Sequence, residues 1–317
     1  MTIGAGHLHL GKKKNVVSVF LVEFIRIHTV ISWCAFSCGA FILGISSLSI
    51  SEYLGRFLIF FVSTFCILSF TFAINNYYDV DSDRINPKKI HFNAMAEGKI
   101  SKKTGSLVNL TLVVIAFLTV ALLSNPRAFV FCILFIFWMW AYSAPPLRLK
   151  GRPGVDIIWH FIAFVILVLW GSFIAGSLGV SNWLAAISLG VFSCVAQVWN
   201  HFNDYEFDRE SGIATYAVSR GLDTTIVTLK IIVILHVILL IPLIFLYSLQ
   251  YVLTIGVFIS GILLGIYVAN TKRKALGSSS AYYFPIVLSF AVYINCIIYH
   301  IAVLSGQPMI SILFLAG

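Results

Sequence analysis

The chain has 317 residues, of which 60% are hydrophobic and only 10% are charged, and its mean hydropathy is +0.97. No water-soluble domain needs this much apolar side chain, so the composition predicts a polytopic membrane protein. The net charge of +9 would indicate nucleic-acid binding in a soluble protein. In a membrane protein it is better explained by the orientation of loops in the bilayer, so no nucleic-acid partner is expected.

Apolar segments long enough to cross about 30 Å of hydrocarbon recur along the whole chain. We predict one domain over residues 1–317, with repeat halves at about 16–143 and 155–270 and a last helix at about 282–305. The first span is longer than a bilayer needs, so we expect it to be tilted or bent. The nine predicted spans are 16–46, 55–80, 104–124, 127–143, 155–177, 181–203, 223–247, 250–270 and 282–305.

Lysine and arginine residues indicate how the chain is oriented. They precede the first span and follow every even-numbered span, whereas the opposite side carries only Arg56 and Arg127. This bias predicts that the N-terminus and the loops after spans two, four, six and eight are cytoplasmic. Nine spans then place the C-terminus outside.

One pattern occurs twice, 125 residues apart, at the ends of the second and sixth spans. Each copy has an Asn, an Asp four residues later and another Asp after four more. Residues four apart share one helix face, so each copy forms a stripe. The first acidic stripe is Asn75, Asp79 and Asp83, and the second acidic stripe is Asn200, Asp204 and Asp208. Asp81 and Glu206 fall off these faces, so we expect them to be solvated or to lie behind the stripes.

The distribution of acids favours a function over the wetted ends of two helices, because seven of the twelve acidic residues lie in or directly after the two stretches. Two facing carboxylate stripes repel unless a cation lies between them. Mg²⁺ suits this role, since proteins hold it with one or two carboxylates plus substrate phosphates. We expect one cytosol-facing site between two parallel repeats, with the four carboxylates within about 10 Å, a span that two Mg²⁺ ions and a diphosphate can bridge.

The loop after the fourth span contains two prolines, which end the helix, and then Arg148, Lys150 and Arg152. Residues two apart lie on one side of an extended loop. These cations either neutralise a departing diphosphate or anchor the loop on the cytoplasmic side, and the acidic stripes on the same face favour the first role. Arg26, early in the first span, is a lone cation that we expect to hold an anionic acceptor or the diphosphate.

Three motifs together resemble the UbiA superfamily of intramembrane prenyltransferases. They are the two Asn-x-x-x-Asp-x-x-x-Asp stretches, the loop Tyr-Ser-x-Pro-Pro-x-Arg-Leu-Lys and the run Asp-x-x-x-Gly-x-x-Thr. The resemblance implies an all-α bundle of nine transmembrane helices that depends on Mg²⁺. It also implies that a polyprenyl diphosphate donates its prenyl group to a lipid-soluble or amphipathic acceptor among membrane lipids. By position, both acidic stripes would hold Mg²⁺-diphosphate, and the contacts to the diphosphate would come from Tyr142, Ser143, Arg148 and Lys150.

The implied reaction ionises an allylic diphosphate to a carbocation, which needs a dry cavity with aromatic faces. One departure from the family pattern leaves the acceptor open. Many members carry Arg-Pro in the loop after the first stripe, where this chain has Asn93-Ala94. The acceptor candidates are an aromatic quinone-type precursor, a glycerol-phosphate ether lipid and another isoprenoid.

Two other functions fit part of the pattern. One is a cation-coupled transporter, and the other is a non-catalytic binder of an anionic isoprenoid lipid. A transporter would hold its ions near the middle of the membrane, whereas these acids lie at helix ends on one face, and the repeat is parallel. Only turnover excludes the binder.

Removal of the metal is expected to abolish activity, and Mg²⁺ is expected to restore it, because carboxylate and phosphate oxygens suit hard ions. Asp79→Asn or Asp204→Asn should each remove most turnover and leave the fold intact, since neither acid is needed to pack an apolar bundle. Initial rates of prenyl transfer test this, with the off-stripe variant Asp81→Asn as a control. Full activity in either stripe variant would contradict the assigned role.

Overall fold

The computed structural model describes residues 16–86, 90–248 and 280–306, and all regular elements in these ranges are helices. The described part of the chain starts with the short helix α1 (Val16–Ser18), a π-helical segment (Val19–Phe24) and α2 (Ile27–Leu43). The helices that follow are α3 (Ile50–Arg84), α4 (Lys102–Ala121), α5 (Pro126–Ser143), α6 (Val155–Ala175), α7 (Val180–Asn203), α8 (Tyr205–Glu210), α9 (Tyr216–Arg220), α10 (Leu222–Ser248) and α11 (Ser280–Ser305).

Most of the predicted spans are confirmed. Spans two to seven coincide with α3 to α7 and α10, the six helices in the described part of the chain that are long and apolar enough to cross a membrane. The ninth coincides with α11. The eighth, 250–270, lies outside the described residues, so the count of nine stays a prediction.

The first predicted span is not one continuous helix. It breaks at Arg26, whose backbone has the left-handed dihedral angles φ 53° and ψ 54°, and α2 starts at the next residue. The bend expected from the length of this span therefore lies at its one arginine. An L-residue pays about 1–2 kcal/mol for this conformation, so other contacts must hold it in place.

Two buried clusters of side chains share α2 and α6. The first cluster joins these helices to α3, α4 and α5, and the second joins them to α7, α10 and α11. Hydroxyl groups tie α2 to α6 in both directions, since Ser37 Oγ donates to the Leu167 carbonyl and Ser172 Oγ donates to the Ala40 carbonyl, each at 2.8 Å. The α2–α6 pair is thus the shared wall of the two halves.

The outer faces of the bundle are apolar. Large hydrophobic side chains are exposed at helical spacing, in α4 at Leu107, Leu110 and Leu118, and in α10 at Ile231, Ile234 and Ile238. Apolar stripes of this length on a soluble monomer would expose an extensive hydrophobic patch to water. They are explained by contact with lipid, and the protein is an integral membrane protein.

Helix α3 is longer than a bilayer needs. Its 35 residues extend about 52 Å, whereas the hydrocarbon core is about 30 Å thick, and the first acidic stripe occupies its last turns. Near its other end, Arg56 of α3 and Arg127 of α5 line one cavity of about 450 Å³. Two basic residues therefore meet at the end of the bundle opposite the stripe.

Gly171 lies where α6 crosses α2. An added Cβ would be 2.4 Å from the carbonyl oxygen of Ser37 and 3.0 Å from the amide nitrogen of Phe41. Because backbone atoms cannot move aside as a flexible side chain can, Gly171→Ala is expected to separate the helices and to lower the free energy of unfolding by about 1–3 kcal/mol. Thermal unfolding in detergent measures the change.

Gly55→Ala in α3 is the matched control, since nothing lies within 4 Å of an added Cβ there. Alanine is favoured over glycine in a helix by up to about 1 kcal/mol, so this variant should unfold at the same temperature as the wild type or slightly above it. Equal unfolding temperatures for Gly171→Ala and the wild type would contradict the close α2–α6 contact.

Candidate active site

The first acidic stripe is joined to the loop between α5 and α6, residues 144–154, called here the basic loop. The ammonium group of Lys150 donates to Asn75 Oδ1 at 2.7 Å and to Asp79 Oδ2 at 2.5 Å. Ser143, at the last position of α5, donates to the same Asn75 oxygen at 3.0 Å. The side chains of Lys150 and Asp79 are 15% and 16% exposed, so this pair lies at a partly desolvated boundary. Burial lowers the pKa of Lys150, and the charge of Asp79 only partly offsets this.

Arg148 lies further out on the same carboxylate. Its guanidinium is 3.6 Å from Asp79 Oδ1, and about half of its side chain is exposed. The backbone of Arg148 has φ 38°, so Arg148, like Arg26, lies in the left-handed region. Strained backbone held by its surroundings often marks a functional position. Arg148 and Lys150 therefore both contact Asp79 of the first acidic stripe, whereas the side chain of Arg152 is exposed. Their predicted contact with a diphosphate stays a prediction.

Arg26 is brought to the same place from the other side. Its guanidinium donates to Asn76 Oδ1 at 3.1 Å and lies 5.8 Å from the ring centre of Phe72. The charges of Asp79 and Asp83 are close enough to act on it. The break before α2 thus directs the arginine of the first span at the first acidic stripe.

Asn76 holds that break in place. Its side-chain amide donates to the carbonyls of Glu23 and Phe24 at 2.9 and 2.8 Å. The backbone carbonyl of Asn76 accepts a hydrogen bond from the side-chain amide of Asn93. The same Asn93 amide also donates to Asp83 Oδ2 at 2.8 Å. The sequence does not predict Asn76 or Asn93 as site residues, because neither lies on the helix face that carries the first acidic stripe.

The second acidic stripe is less regular than predicted. Helix α7 ends at Asn203, and Asp204 is the junction with α8, although the backbone bonds from Asp204 to Asn200 and from Asp208 to Asp204 keep helical spacing at 2.9 and 2.8 Å. Asn200 and Asp204 are exposed, whereas Asp208 is buried. The convergence of the four carboxylates stays a prediction.

The prediction for the two off-stripe acids is confirmed. Asp81 is 81% exposed and has only Lys102 nearby, at 3.7 Å. Glu206 is 66% exposed and pairs with Arg209 at 2.7 Å within its own helix. Both are solvated, as their positions on the helix indicate.

Helix α6 contacts the elements of both stripes. The ring of Tyr142 on α5 packs against Trp159 of α6, with centres 4.2 Å apart and planes tilted by 31°. Asp156 Oδ2 of α6 accepts a hydrogen bond from Gln197 on α7 at 3.0 Å. Since Ser143 of α5 bonds to Asn75 and Gln197 lies one turn before Asn200, α6 joins the helix ends next to the two stripes.

A buried contact between a histidine and a carboxylate supports this junction. His201 Nε2 lies 2.7 Å from Asp156 Oδ2, and both side chains are less than 10% exposed. Sequence reasoning gave neither residue a role. A signal was available, because Asp156 falls inside the predicted fifth span, where an ionisable residue is itself a functional hypothesis.

The oxygens of the first acidic stripe fit a hard cation. The ammonium of Lys150 already lies between Asn75 Oδ1 and Asp79 Oδ2, so this pair of oxygens accepts positive charge. Among the described residues, no three His, Cys, Asp or Glu side chains are grouped closely enough to hold a metal by themselves. A metal here would need amide, water and phosphate oxygens as well, which is the ligand set that Mg²⁺ prefers.

The described helices form an apolar bundle that gathers amide, carboxylate and basic groups at one end, an arrangement typical of an intramembrane enzyme. The model of the UbiA prenyltransferase family matches residues 31–313. The chain therefore belongs to the UbiA prenyltransferase family, and it is a prenyltransferase.

Known relatives and structures agree with this. The lycopene elongase/hydratase of Corynebacterium glutamicum is 29% identical over 202 residues, which are 60% of this chain and 68% of that protein. A lycopene elongase/hydratase of Haloarcula japonica is 32% identical over 168 residues, 49% of this chain and 51% of that protein. The structure of a UbiA homologue of Archaeoglobus fulgidus bound to GPP and Mg²⁺ is 21% identical, covers 90% of this chain and 99% of that one, and superposes with a TM-score of 0.65. At that identity, the likeness shows the fold alone.

Charge-preserving substitutions in the basic loop distinguish residues that bind the substrate from residues that only anchor the loop at the membrane. Lys150→Arg places a planar guanidinium where a compact ammonium fits between two oxygens. Arg148→Lys removes a guanidinium that can donate two parallel hydrogen bonds. Each is expected to lower turnover about tenfold or more, a loss of roughly 1.4 kcal/mol. Initial rates at saturating prenyl diphosphate measure this.

Two charge-preserving variants away from the site are the controls. Lys102 is largely exposed on the surface, and Arg127 lines the cavity at the opposite end. Lys102→Arg and Arg127→Lys should both keep wild-type rates. Wild-type rates in Lys150→Arg and Arg148→Lys as well would assign the basic loop to anchoring.

Proposed function

We propose that the protein transfers a prenyl group from an allylic diphosphate to a long, apolar polyene of the carotenoid class within the membrane. The observation that carries this proposal is the cluster in which Lys150 and Ser143 meet Asn75 and Asp79. It brings hydrogen-bond donors and a diphosphate-compatible metal site together at the end of an apolar bundle. The names of the curated relatives, lycopene elongase/hydratase, support the acceptor class.

The basic residues are assigned to the diphosphate. Lys150 and Arg148 approach the first acidic stripe from the basic loop and Arg26 from the break before α2, so they can contact the diphosphate from two elements. Arginine binds phosphate through a planar fork and lysine through a point charge. Their positive charge stabilises the leaving group as the C–O bond breaks, which is where negative charge develops.

Both acidic stripes are assigned to Mg²⁺. Bound there, Mg²⁺ supplies Lewis-acid neutralisation of the diphosphate oxygens. Asn75, Asp79 and Asp83 would hold it on α3, and Asn200, Asp204 and Asp208 would hold it at the α7–α8 junction. The exposed Asn200 and Asp204 are accessible to a metal-diphosphate complex that arrives from water.

Aromatic side chains line the region one turn deeper in the bundle. The ring of Trp33 lies 5.5 Å from that of Phe72 and 4.9 Å from that of Phe164, between α2, α3 and α6. Phe72 lies three residues before Asn75, so this cluster is next to the diphosphate end. Aromatic faces stabilise a cation, and an apolar wall excludes the water that would quench it.

In the proposed reaction the allylic C–O bond breaks, and both of its electrons leave on the diphosphate. A double bond of the polyene supplies the electron pair for the new C–C bond. The positive charge moves to the acceptor, which then loses a proton or adds water. A polyene acceptor needs an apolar pocket and no charged one. The aromatic contacts continue from Phe164 to Phe36 and from Phe36 to Phe192, with ring centres 6.1 Å apart in each pair. These rings form an apolar path deeper between α2, α6 and α7.

The same proposal includes the orientation. The Lys and Arg bias supports a cytosolic N-terminus and a cytosolic site in a single domain of nine helices with two parallel repeats.

Purified protein in lipid nanodiscs with Mg²⁺ and either dimethylallyl or geranyl diphosphate tests the function. Lycopene, an aromatic hydroxybenzoate and a glycerol-phosphate ether are offered separately, and products are read by mass spectrometry. We expect prenylated lycopene, and none with Asp79→Asn. Transfer only to the hydroxybenzoate or the ether would overturn the acceptor class.

Two further outcomes would overturn the proposed enzyme function. Uptake of labelled diphosphate into vesicles without product would indicate a transporter. Saturable binding of the diphosphate without turnover of any acceptor would indicate a non-catalytic binder.

A further inference from the structure

Asn93 stands where many members of the family have arginine, and its side chain is completely buried. Its amide nitrogen donates to the carbonyl of Asn76 at 2.9 Å and to Asp83 Oδ2 at 2.8 Å. Its amide oxygen accepts from the backbone amides of Met95 and Ala96 at 3.1 and 3.3 Å. An asparagine amide has two N–H donors and two acceptor lone pairs, so all four are used.

We propose that Asn93 is a positioning residue that fixes the Asp83 carboxylate of the first acidic stripe relative to Arg26. The inference rests on the proposed function, since it assigns Asp83 to the metal-diphosphate site. With every hydrogen-bonding group of the amide engaged, Asn93 cannot rotate without leaving a buried polar group unpaired. Such a loss costs about 1–3 kcal/mol.

The connection runs from Asp83 to Arg26 through two asparagines. Asn93 bonds to the carbonyl of Asn76, and the side chain of Asn76 bonds both to Arg26 and to the carbonyls that precede it. Each link joins segments that are far apart in sequence. The Asp83 carboxylate and the Arg26 guanidinium are therefore held by one hydrogen-bonded frame, whose two asparagines lie outside both stripes.

A second contact closes the same frame. Lys99, in the loop that begins with Asn93, pairs with the buried Glu23 carboxylate at 2.9 Å and with Glu97 at 2.6 Å. Burial lowers the pKa of Lys99, but hydrogen bonds to Glu97 and Glu23 outweigh this and leave its pKa above the ordinary value. Lys99 thus stays charged at neutral pH and ties this loop to the segment before Arg26.

The choice of a neutral amide has a consequence for the metal. An arginine beside Asp83 would form a charge-assisted pair with the carboxylate and offset its charge. Asn93 instead orients the carboxylate through a neutral N–H donor and adds no positive charge of its own. Oriented carboxylate oxygens are suitable ligands for Mg²⁺.

Binding of Mn²⁺, a spectroscopic substitute for Mg²⁺, tests the inference without turnover. With inorganic diphosphate present at one fixed concentration, the free Mn²⁺ signal in electron paramagnetic resonance gives the dissociation constant for purified protein, after subtraction of the Mn²⁺ that diphosphate binds alone, and thermal unfolding is followed in parallel. Asn93→Ala should raise the Mn²⁺ dissociation constant at least fivefold. Asn93→Ser keeps a side-chain oxygen that can cap the turn at Met95 and Ala96 but is too short to reach Asp83, so it should raise the constant similarly with a smaller loss of stability.

Asn109→Ala is the matched control. Asn109 is also a buried asparagine, but its amide donates only to the Gly105 carbonyl in its own helix, at 3.0 Å. This variant should change the unfolding temperature and leave Mn²⁺ binding as in the wild type. If Asn93→Ser bound Mn²⁺ as the wild type does, Asn93 would only stabilise the loop and the inference would be wrong.

Failure of the inference is distinguishable from failure of the proposed function. Wild-type protein that binds Mn²⁺ but prenylates no acceptor would overturn the function and leave the positioning role open to the same Asn93→Ser measurement. Wild-type protein that binds no Mn²⁺ would overturn the metal site and the role of Asn93 with it. In active protein, the Mg²⁺ concentration for half-maximal rate should rise at least fivefold in Asn93→Ser, and excess Mg²⁺ should restore most of the rate.

Discussion

The contact of the Asp79 carboxylate with the basic loop is the interaction on which the assembly of the site depends. A partly desolvated carboxylate costs several kcal/mol unless a cation or hydrogen-bond donors compensate it. Here the compensation comes from Lys150 and Arg148 in the basic loop. The loop lies over the end of α3, where Ser143 bonds to Asn75 and Tyr142 packs against Trp159 of α6.

Local strain at this end is compensated by buried amide groups. Arg26 and Arg148 both have left-handed backbones, which non-glycine residues rarely adopt. The side chain of Asn76 binds the carbonyls just before Arg26, so the break is held by hydrogen bonds from another helix. A straight first helix would carry its arginine elsewhere. The strain is thus coupled to the position of a cation at the site.

The two acidic stripes differ in how the protein supports them. The first is held by a lysine, a serine and Asn93, whereas in the second Asn200 and Asp204 are exposed at the junction of α7 and α8. A duplicated motif has therefore acquired two environments. The contacts of His201 and Gln197 with the buried Asp156 fix the end of α7 against α6. The second stripe is therefore supported from the helix turns that precede it.

The sequence by itself determined the features that depend on local periodicity. Apolar runs long enough to cross a bilayer mark spans two to seven to within a few residues at most ends, because hydrocarbon thickness sets helix length. Spacing by four defines the acidic stripes, and the same helix geometry puts Asp81 and Glu206 in water. The lysine and arginine of the basic loop were recognised because they follow a helix that prolines end. Family membership followed from the order of these motifs.

Only the tertiary structure decided which distant residues complete the site. The contacts of Asn93 with Asp83 and Asn76, of Asn76 with Arg26, and of Asp156 with His201 join different elements and have no period in the sequence. A buried asparagine in a loop reads as an ordinary turn residue until its partners are known. The position of the break at Arg26 was equally hidden, since its cost is met by the side-chain amide of Asn76, which donates to the carbonyls of Glu23 and Phe24 from another helix. Local patterns specify helices and their polar faces, whereas long-range hydrogen bonds decide how those faces meet.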